Sequence, residues 1–182
     1  MNCECVFGTM TISIEQERIM IGKQELLSLM ERECRVCIRV FSKMGPESYG
    51  YKPTEGQRTT FELIQYMSYA FAGAANAIAG RGWDWWKEHE AVAAKMAPAD
   101  FADAMETQIE ELRNVLTGVD DETFNNTTVS DLPWPTENTV GVELLENCLR
   151  WIIGYKMQLF LYARSNGVEM STMDCWFLTK DA

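Results

Sequence analysis

Apolar residues recur along four stretches of the chain at the three- and four-residue spacing that is typical of one buried face of an α-helix. The longest such stripe lies between Glu143 and Gly167 and consists of Leu145, Cys148, Ile152, Tyr155, Leu159 and Tyr162. A stripe of this length predicts a bundle helix, which we place at residues 140 to 166. Lys156 and Arg164 lie in its C-terminal half, where cations oppose the negative end of the helix dipole.

Three further stripes predict three more bundle helices. We place these helices at residues 13 to 44, 59 to 79 and 98 to 117. Ser13 with Gln16, and Thr59 with Glu62, match the capping-box pattern that begins a helix. Pro98 lies where a first helical turn accepts proline. The chain therefore predicts an all-α protein, a four-helix bundle without a β-sheet of consequence.

The segments between these helices predict two ordered connections. Residues 83 to 97 predict a short connecting helix that begins at Asp84. We expect Trp83, Trp85 and Trp86 to pack over one mouth of the bundle, and the alternative is an exposed surface for a partner. Residues 120 to 138 are polar and contain proline, which predicts a long crossover loop before the last helix, with Trp134 as its anchor.

Length and composition indicate one domain that spans residues 1 to 182. The chain has 182 residues, of which 47% are hydrophobic and 24% charged. A chain of this size buries enough apolar surface to fold without disulfides or metals. We expect residues 1 to 12 to be a flexible lead. The apolar tail at 168 to 182 predicts a segment that packs on the bundle or joins a subunit interface.

The net charge of -11 argues against nucleic acid as a partner, because phosphate binding depends on clustered Lys and Arg. No apolar run approaches the roughly 18 residues of a membrane span, and the N-terminus lacks a basic region followed by an apolar core. We therefore expect a cytoplasmic protein that binds neither nucleic acid nor membranes.

Six cysteines raise the alternative of a zinc site. Cys3 and Cys5, together with Cys34 and Cys37, would supply four thiolates. Cys34 and Cys37 also belong to the apolar stripe of the first helix, where they serve as small core residues, and we prefer that interpretation. A cytosolic compartment disfavours disulfides as well.

Two short helical segments carry a resemblance to a known family. The first reads Tyr155, Lys156, Met157, Gln158, Leu159, then Tyr162, Arg164, Asn166, Gly167 and Val168, and the second runs from Arg58 to Tyr66. They resemble the last and second helices of the DinB-like superfamily of four-helix proteins, and the resemblance extends from about Ile14 to Gly167. In that family three histidines, one on the second helix and two on the last, bind a divalent metal. The resemblance implies the same bundle here and a homodimer.

The positions that match the three metal-binding histidines are aromatic in this chain. They are Tyr66, Trp151 and Tyr155. His89 is the only histidine, so a three-histidine site is impossible, and phenol and indole are poor or useless substitutes. We therefore predict no metal and no cofactor. A pocket at the former metal site would be lined by Tyr66, Tyr69, Trp151, Tyr155, Gln158 and Tyr162.

Three functions remain open on the sequence. The first is a non-catalytic protein that has lost the metal, in which the aromatic residues fill the core or bind a small apolar or aromatic molecule. The second is a metal-dependent thiol transferase or hydrolase with displaced ligands, which the missing donors disfavour. The third is an interaction module that acts through a homodimer or through the Trp-rich segment around Trp83 and Trp86.

Overall fold

The computed structural model describes residues 21 to 178, and the regular structure of this part of the chain is helical, with one isolated bridge between Thr128 and Thr139. The helices are α1 (Lys23–Ser42), α2 (Thr60–Met67), α3 (Ala70–Ile78), α4 (Asp84–Ala93), α5 (Phe101–Gly118), α6 (Asp121–Asn126), α7 (Val140–Leu144), α8 (Arg150–Ser165) and α9 (Thr172–Trp176). A π-helical turn, Leu145–Leu149, joins α7 to α8, and short 3-10 turns lie at Pro46–Ser48 and Pro98–Asp100. None of the helices in these residues combines the length and apolar character needed to cross a membrane.

Four helical bodies enclose one core, namely α1, α2 with α3, α5, and α7 with α8. This arrangement confirms the predicted all-α bundle. α1 packs against α5 and α8, α2 packs against α8, and α3 packs against α5. The short α4 covers α3 and is the predicted connecting helix. The largest fully buried apolar side chains include Met30, Leu63, Phe71, Phe101 and Leu112. Each of the four bodies supplies apolar residues to this core, as the helical periodicity predicted.

The predicted first helix is too long. Ile21 and Gly22 are not helical, so a continuous helix from residue 13 to 44 is wrong, and α1 begins at Lys23. Gly22 is the residue at that boundary, and the backbone freedom of glycine disfavours the helix interior. The Ser13 and Gln16 capping box and the expected lead at 1 to 12 lie outside the described residues.

The predicted second helix is divided into α2 and α3, and a side chain from α5 satisfies the backbone groups at the break. The Gln108 carboxamide is fully buried and donates from Nε2 to the carbonyl oxygen of Met67. Its Oε1 accepts from the backbone N–H groups of Phe71 (3.0 Å) and Ala72 (3.1 Å). These bonds replace the helical backbone bonds that are lost around Ser68 and Tyr69, since an inserted side chain can interrupt the i to i−4 ladder.

The predicted last helix contains a π turn that shifts its buried face. Cys148, Ile152 and Leu159 of the predicted stripe are buried, but Leu145 is 37% exposed. The wider turn inserts an extra residue, and the stripe therefore continues N-terminally through Leu144 instead of Leu145. Periodicity alone cannot show such a change of phase.

Lys156, which the sequence analysis placed in the C-terminal half of the last helix, is a buried residue. Its side chain is fully buried, and its Nζ lies 2.5 Å from Oε2 of Glu33 on α1. The ring of Trp176 on α9 covers the ammonium at 4.3 Å. The lysine therefore joins α8 to α1 and α9 inside the protein.

The described part of the C-terminal segment packs on α1 and α8 through α9. Asp174 forms ion pairs with Arg39 (3.1 Å) and Lys43 (2.5 Å), both on or next to α1. The Lys43 ammonium and the hydrogen bonds from Ser171 hold the pKa of Asp174 well below its usual range. Charged contacts thus fix α9, while Cys175 is buried beneath it.

Candidate functional site

The bundle brings Tyr66 of α2 and Tyr155 of α8 into direct contact, with ring centroids 5.1 Å apart. Tyr69, next to the break between α2 and α3, packs edge-on against Tyr66 at 5.6 Å. Both Tyr66 and Tyr155 are only partly buried. Three of the predicted pocket residues therefore form one group, in which the Tyr66 and Tyr155 rings remain partly accessible and Tyr69 is buried.

Trp151 reaches this group through other tryptophans. Its ring lies 5.7 Å from that of Trp134 in the crossover, and Trp134 lies 6.2 Å from Trp83. Trp83 packs on Trp86 at 5.6 Å, and Trp86 packs on Tyr69 at 5.1 Å. We call the connected set the aromatic cluster. It comprises Tyr66, Tyr69, Trp83, Trp86, Trp134, Trp151 and Tyr155.

Gln158 and Tyr162 lie in a separate contact on α8. The Gln158 Nε2 donates to the Tyr162 hydroxyl at 2.7 Å, and the Tyr162 ring packs edge-on against Tyr51 at 5.7 Å. Tyr162 is buried, whereas Tyr66, Trp151 and Tyr155 of the cluster are partly exposed. The six predicted pocket residues thus divide into two groups. Tyr66, Tyr69, Trp151 and Tyr155 belong to the aromatic cluster, and Gln158 and Tyr162 lie further along α8.

A buried carboxylate fixes the crossover that carries Trp134. Glu143 of α7 is fully buried and accepts from the Trp134 indole N–H (2.7 Å) and the Thr136 hydroxyl (2.6 Å). The side-chain amides of Asn138 and Asn147 complete its coordination. Burial alone raises the pKa of a carboxyl group, but these four donors together hold the pKa of Glu143 below its usual range. Glu143 thereby sets the position of Trp134 beside Trp151 and Trp83.

The connecting helix lies unusually close to α3. A Cβ atom added to Gly73 would lie 2.7 Å from Cε3 and 3.2 Å from the backbone Cα of Trp86. Only glycine therefore permits this approach of the two helices. The contact places Trp86 against Tyr69 and Tyr66, so the packing of Trp83 and Trp86 on the bundle follows from it.

The environment of the cluster keeps the phenols of Tyr66 and Tyr69 neutral. Burial, together with the neighbouring Tyr155 hydroxyl, raises the pKa of Tyr66 well above its usual range. Burial and a hydrogen bond to Glu90, 3.0 Å from the hydroxyl oxygen, raise the pKa of Tyr69 to about 12. A neutral phenol is a weak ligand for a divalent metal, and the Trp151 indole offers no lone pair in its place. The residues at the matched positions do not fit the metal that the resemblance implies.

Other potential metal ligands do not converge within the described residues. Between residues 21 and 178, no group of three or more His, Cys, Asp or Glu side chains is placed to hold a metal ion. Cys34 and Cys37 are buried in the core, and burial raises the pKa of both thiols. Cys3 and Cys5 lie outside the described residues, so the four-thiolate alternative is limited here to the two buried thiols.

His89 takes no part in the aromatic cluster. Its ring stacks on Trp85 with centroids 3.7 Å apart and an interplanar angle of 9°. Its Nδ1 lies 2.9 Å from the Trp85 carbonyl oxygen. Trp85 and His89 therefore form a local pair on α4.

Three cavities border the aromatic cluster, and one of them, of about 390 Å³, lies between Trp83 and residues 127 to 131. A shallow cleft of about 550 Å³ is lined by Trp83, Trp86, Asp131, Leu132 and Pro133. A smaller cavity of about 200 Å³ lies beside Tyr66 and Tyr69 and is lined by both rings and by Arg58, Glu62, Gln65, Glu90, Ala93 and Ala94. A larger groove of about 660 Å³, between α4 and the start of α5, contains none of the predicted pocket residues.

Sequence reasoning missed several residues that shape this region. Glu143 interrupts an apolar helix start, and a carboxylate there could have been matched with the nearby Trp134, Thr136 and Asn138. Arg58 lies next to the helix cap at Thr59, where its guanidinium can reach the Tyr66 ring. Apart from the glycine itself, nothing in the sequence indicates the contact between Gly73 and Trp86.

No family model matches the sequence, and a search of curated proteins gives no match. Among solved structures, the chain is similar to the crystal structure of a DinB-like protein, YjoA, from Bacillus subtilis, with a TM-score of 0.61. The two sequences are 22% identical, and the similarity covers 80% of this chain and 94% of that one. At this identity the likeness concerns the fold. The chain therefore has the DinB-like four-helix-bundle fold that its two short helical segments predicted.

Proposed function

We propose that this chain is a metal-free, non-catalytic DinB-like bundle that binds a small apolar or aromatic molecule at the aromatic cluster. The observation that carries the proposal is the cleft of about 550 Å³ beside two partly exposed rings of the cluster, Trp83 and Trp86. Ligand sites are typically concave, lined by aromatic side chains and provided with few polar groups. Asp131 is the one charged residue in the lining of this cleft.

The cleft is held in shape before any ligand arrives. Trp83 contacts Trp86 on one side and Trp134 on the other, and Glu143 holds the Trp134 indole by a hydrogen bond. Rings that are already fixed lose little conformational entropy on binding. A flat apolar molecule that covers Trp83 and Trp86 would therefore gain buried area without a large ordering cost.

Binding of indole and 2-naphthol, measured by isothermal titration calorimetry, tests this proposal. We expect both compounds to bind the natural protein and Trp83→Ala to weaken binding about tenfold, which corresponds to roughly 1.4 kcal/mol. The loss of one stacking surface accounts for this change. Trp85→Ala is the matched control, because Trp85 stacks on His89 and does not line the cleft. Absence of binding at millimolar concentrations, or equal losses in the two variants, would contradict the proposal.

The loss of the metal is tested separately. We expect the purified protein to contain no stoichiometric nickel, zinc, iron or manganese. Trp151 and Tyr155 lie one turn apart on α8, and the Tyr155 ring contacts that of Tyr66. The triple variant with Tyr66→His, Trp151→His and Tyr155→His is therefore expected to acquire a divalent metal, since histidines four residues apart share a helix face.

Metal analysis by mass spectrometry decides between the outcomes. A triple variant with phenylalanine at the same three positions is the control for nonspecific metal uptake. Stoichiometric metal in the natural protein would refute the loss. A folded histidine variant that binds none would refute the correspondence of these three positions with the metal-binding positions of the family.

Self-association remains part of the proposal. Four apolar side chains of the C-terminal segment are 43% to 54% exposed, namely Met173, Trp176, Phe177 and Leu178. Exposed apolar residues that adjoin one another are typical of contact surfaces. They support the homodimer that the resemblance implies, and we propose that its contact lies at α9, Phe177 and Leu178.

A further inference from the structure

The smaller cavity beside the aromatic cluster already holds a cation of the protein itself. The guanidinium carbon of Arg58 lies 4.3 Å from the centroid of the Tyr66 ring. Arg58 precedes α2 in an exposed loop. A cation over the face of an aromatic ring is attracted by the negative potential of that face. Tyr66 therefore presents a surface that accepts a cation.

Two carboxylates line the same cavity. Glu90 accepts a hydrogen bond from the Tyr69 hydroxyl at 3.0 Å, which fixes the carboxylate next to a second ring. Glu62 accepts from the backbone N–H of Thr59 at 2.7 Å, and this hydrogen bond lowers the pKa of Glu62. Both carboxylates keep their places without Arg58, because their partners are Tyr69 and Thr59.

The walls of the cavity are fixed by the packing of α2 on α4. The Gln65 Nε2 on α2 donates to the carbonyl oxygen of Ala93 on α4 at 2.9 Å. The cavity of about 200 Å³ between them is smaller than the sites of drug-sized ligands. It suits a small molecule, and the two aromatic faces with two carboxylates determine the charge of that molecule.

We propose that this cavity is a binding site for a small organic cation, of the quaternary ammonium or guanidinium class, with Arg58 as its internal occupant. A quaternary ammonium group cannot donate hydrogen bonds and is recognised by ring faces together with nearby negative charge. Tyr66, Tyr69, Glu62 and Glu90 supply both. Arg58 lies in an exposed loop and can leave the ring when a ligand cation replaces it. This site does not depend on the cleft at Trp83 and Trp86.

Choline, and its uncharged isostere 3,3-dimethyl-1-butanol, are the probes that test the site by isothermal titration calorimetry. We expect Arg58→Ala to bind choline at least tenfold more tightly than the natural protein, because the competing guanidinium is gone. We expect the isostere to bind Arg58→Ala at least tenfold more weakly than choline does. Arg81→Ala removes the same charge at a different place, where Arg81 contacts Asn114, and is expected to leave choline binding unchanged.

Further variants in the Arg58→Ala background identify the recognising groups. Tyr66→Leu removes the ring face and is expected to abolish choline binding. Glu90→Gln removes one charge but keeps an acceptor for Tyr69, and is expected to weaken choline binding about fivefold while the fold is retained. Trp83→Phe is expected to leave choline binding unchanged, which separates this site from the proposed aromatic cleft.

Three results would overturn the proposal. The first is no choline binding by Arg58→Ala at 100-fold excess over the protein, with an unchanged circular dichroism spectrum. The second is equal affinity for choline and its isostere, which would make the cavity merely apolar. The third is an equal gain in Arg58→Ala and Arg81→Ala, which would show a general effect of the negative net charge.

Discussion

Glu33→Leu is expected to lower the free energy of unfolding by about 3 to 5 kcal/mol, the usual cost of removing one partner from a buried ion pair. The Lys156 side chain is fully buried, and Glu33 is only 5% exposed. Among residues 21 to 178, the partner that the Lys156 ammonium would keep without the carboxylate is the face of the Trp176 ring, at 4.3 Å. A ring face does not replace a carboxylate for a charge that has lost its hydration.

The converse variant, Lys156→Met, is expected to cost less. Glu33 has a second cationic partner, because Nη2 of Arg32 lies 3.2 Å from its Oε1. Arg32 is largely exposed and can follow the carboxylate. The double variant with Glu33→Leu and Lys156→Met is expected to be close to the natural protein in stability, since apolar replacement of a whole buried pair is often neutral or stabilising.

Urea denaturation of the two single variants and the double variant measures these effects and the coupling between the residues. Arg150→Met is the control, because Arg150 pairs with Glu146 on the surface and such pairs contribute at most about 1 kcal/mol. If both single variants stayed within about 1 kcal/mol of the natural protein, the pair would have to be accessible to water. If the double variant were the least stable of the three, the pair would contribute net stability, contrary to our expectation.

The arrangement around Lys156 illustrates what periodicity could not show. The apolar stripe of the last helix includes Cys148, Ile152 and Leu159, and a lysine beside such a stripe is ordinarily expected at the surface.

 Burial of a charge needs a partner from another helix, and Glu33 lies more than a hundred residues earlier in the chain. The sequence of a single helix therefore predicts which of its faces is buried. It does not predict which charged residues are buried as a pair between two helices.

Some contacts of the candidate site could likewise be predicted from the sequence, and others could not. The resemblance placed Tyr66 and Tyr155 at one site, and their rings lie in contact. The separation of Gln158 and Tyr162 from that contact was not predictable, since it depends on which neighbour each turn of α8 meets, and Tyr162 meets Tyr51. The role of Glu143 also depends on the path of the crossover, which carries no periodic pattern.

The break between α2 and α3 is a further feature that the sequence did not predict. The apolar pattern runs without interruption from Leu63 through Ala77, and no proline or glycine stands at Ser68 or Tyr69. Gln108 of α5 satisfies this break, because it replaces the backbone hydrogen bonds of the interrupted turn. A break whose backbone groups are satisfied by a side chain from a distant segment leaves the helix continuous in its own sequence pattern.

Gln108→Leu is accordingly expected to lower the free energy of unfolding by about 3 to 5 kcal/mol. The substitution leaves the N–H groups of Phe71 and Ala72 and the carbonyl group of Met67 without partners in the core, and each unsatisfied buried group costs about 1 to 3 kcal/mol. Leucine has a similar size, so the loss reports mainly the missing hydrogen bonds. Urea denaturation measures the loss, and Thr107→Ala, at the exposed neighbouring position, is the control and is expected to change stability by at most about 0.5 kcal/mol.

Amide hydrogen exchange shows where the loss arises. In Gln108→Leu we expect the amides of Phe71 and Ala72 to exchange faster relative to those of α1, because their acceptor is gone while α1 keeps its own backbone bonds. A loss below about 1 kcal/mol with unchanged protection at Phe71 and Ala72 would contradict this account. It would mean that α2 and α3 join into one continuous helix once Gln108 is removed, so that the side chain imposes the break instead of satisfying one that the packing requires.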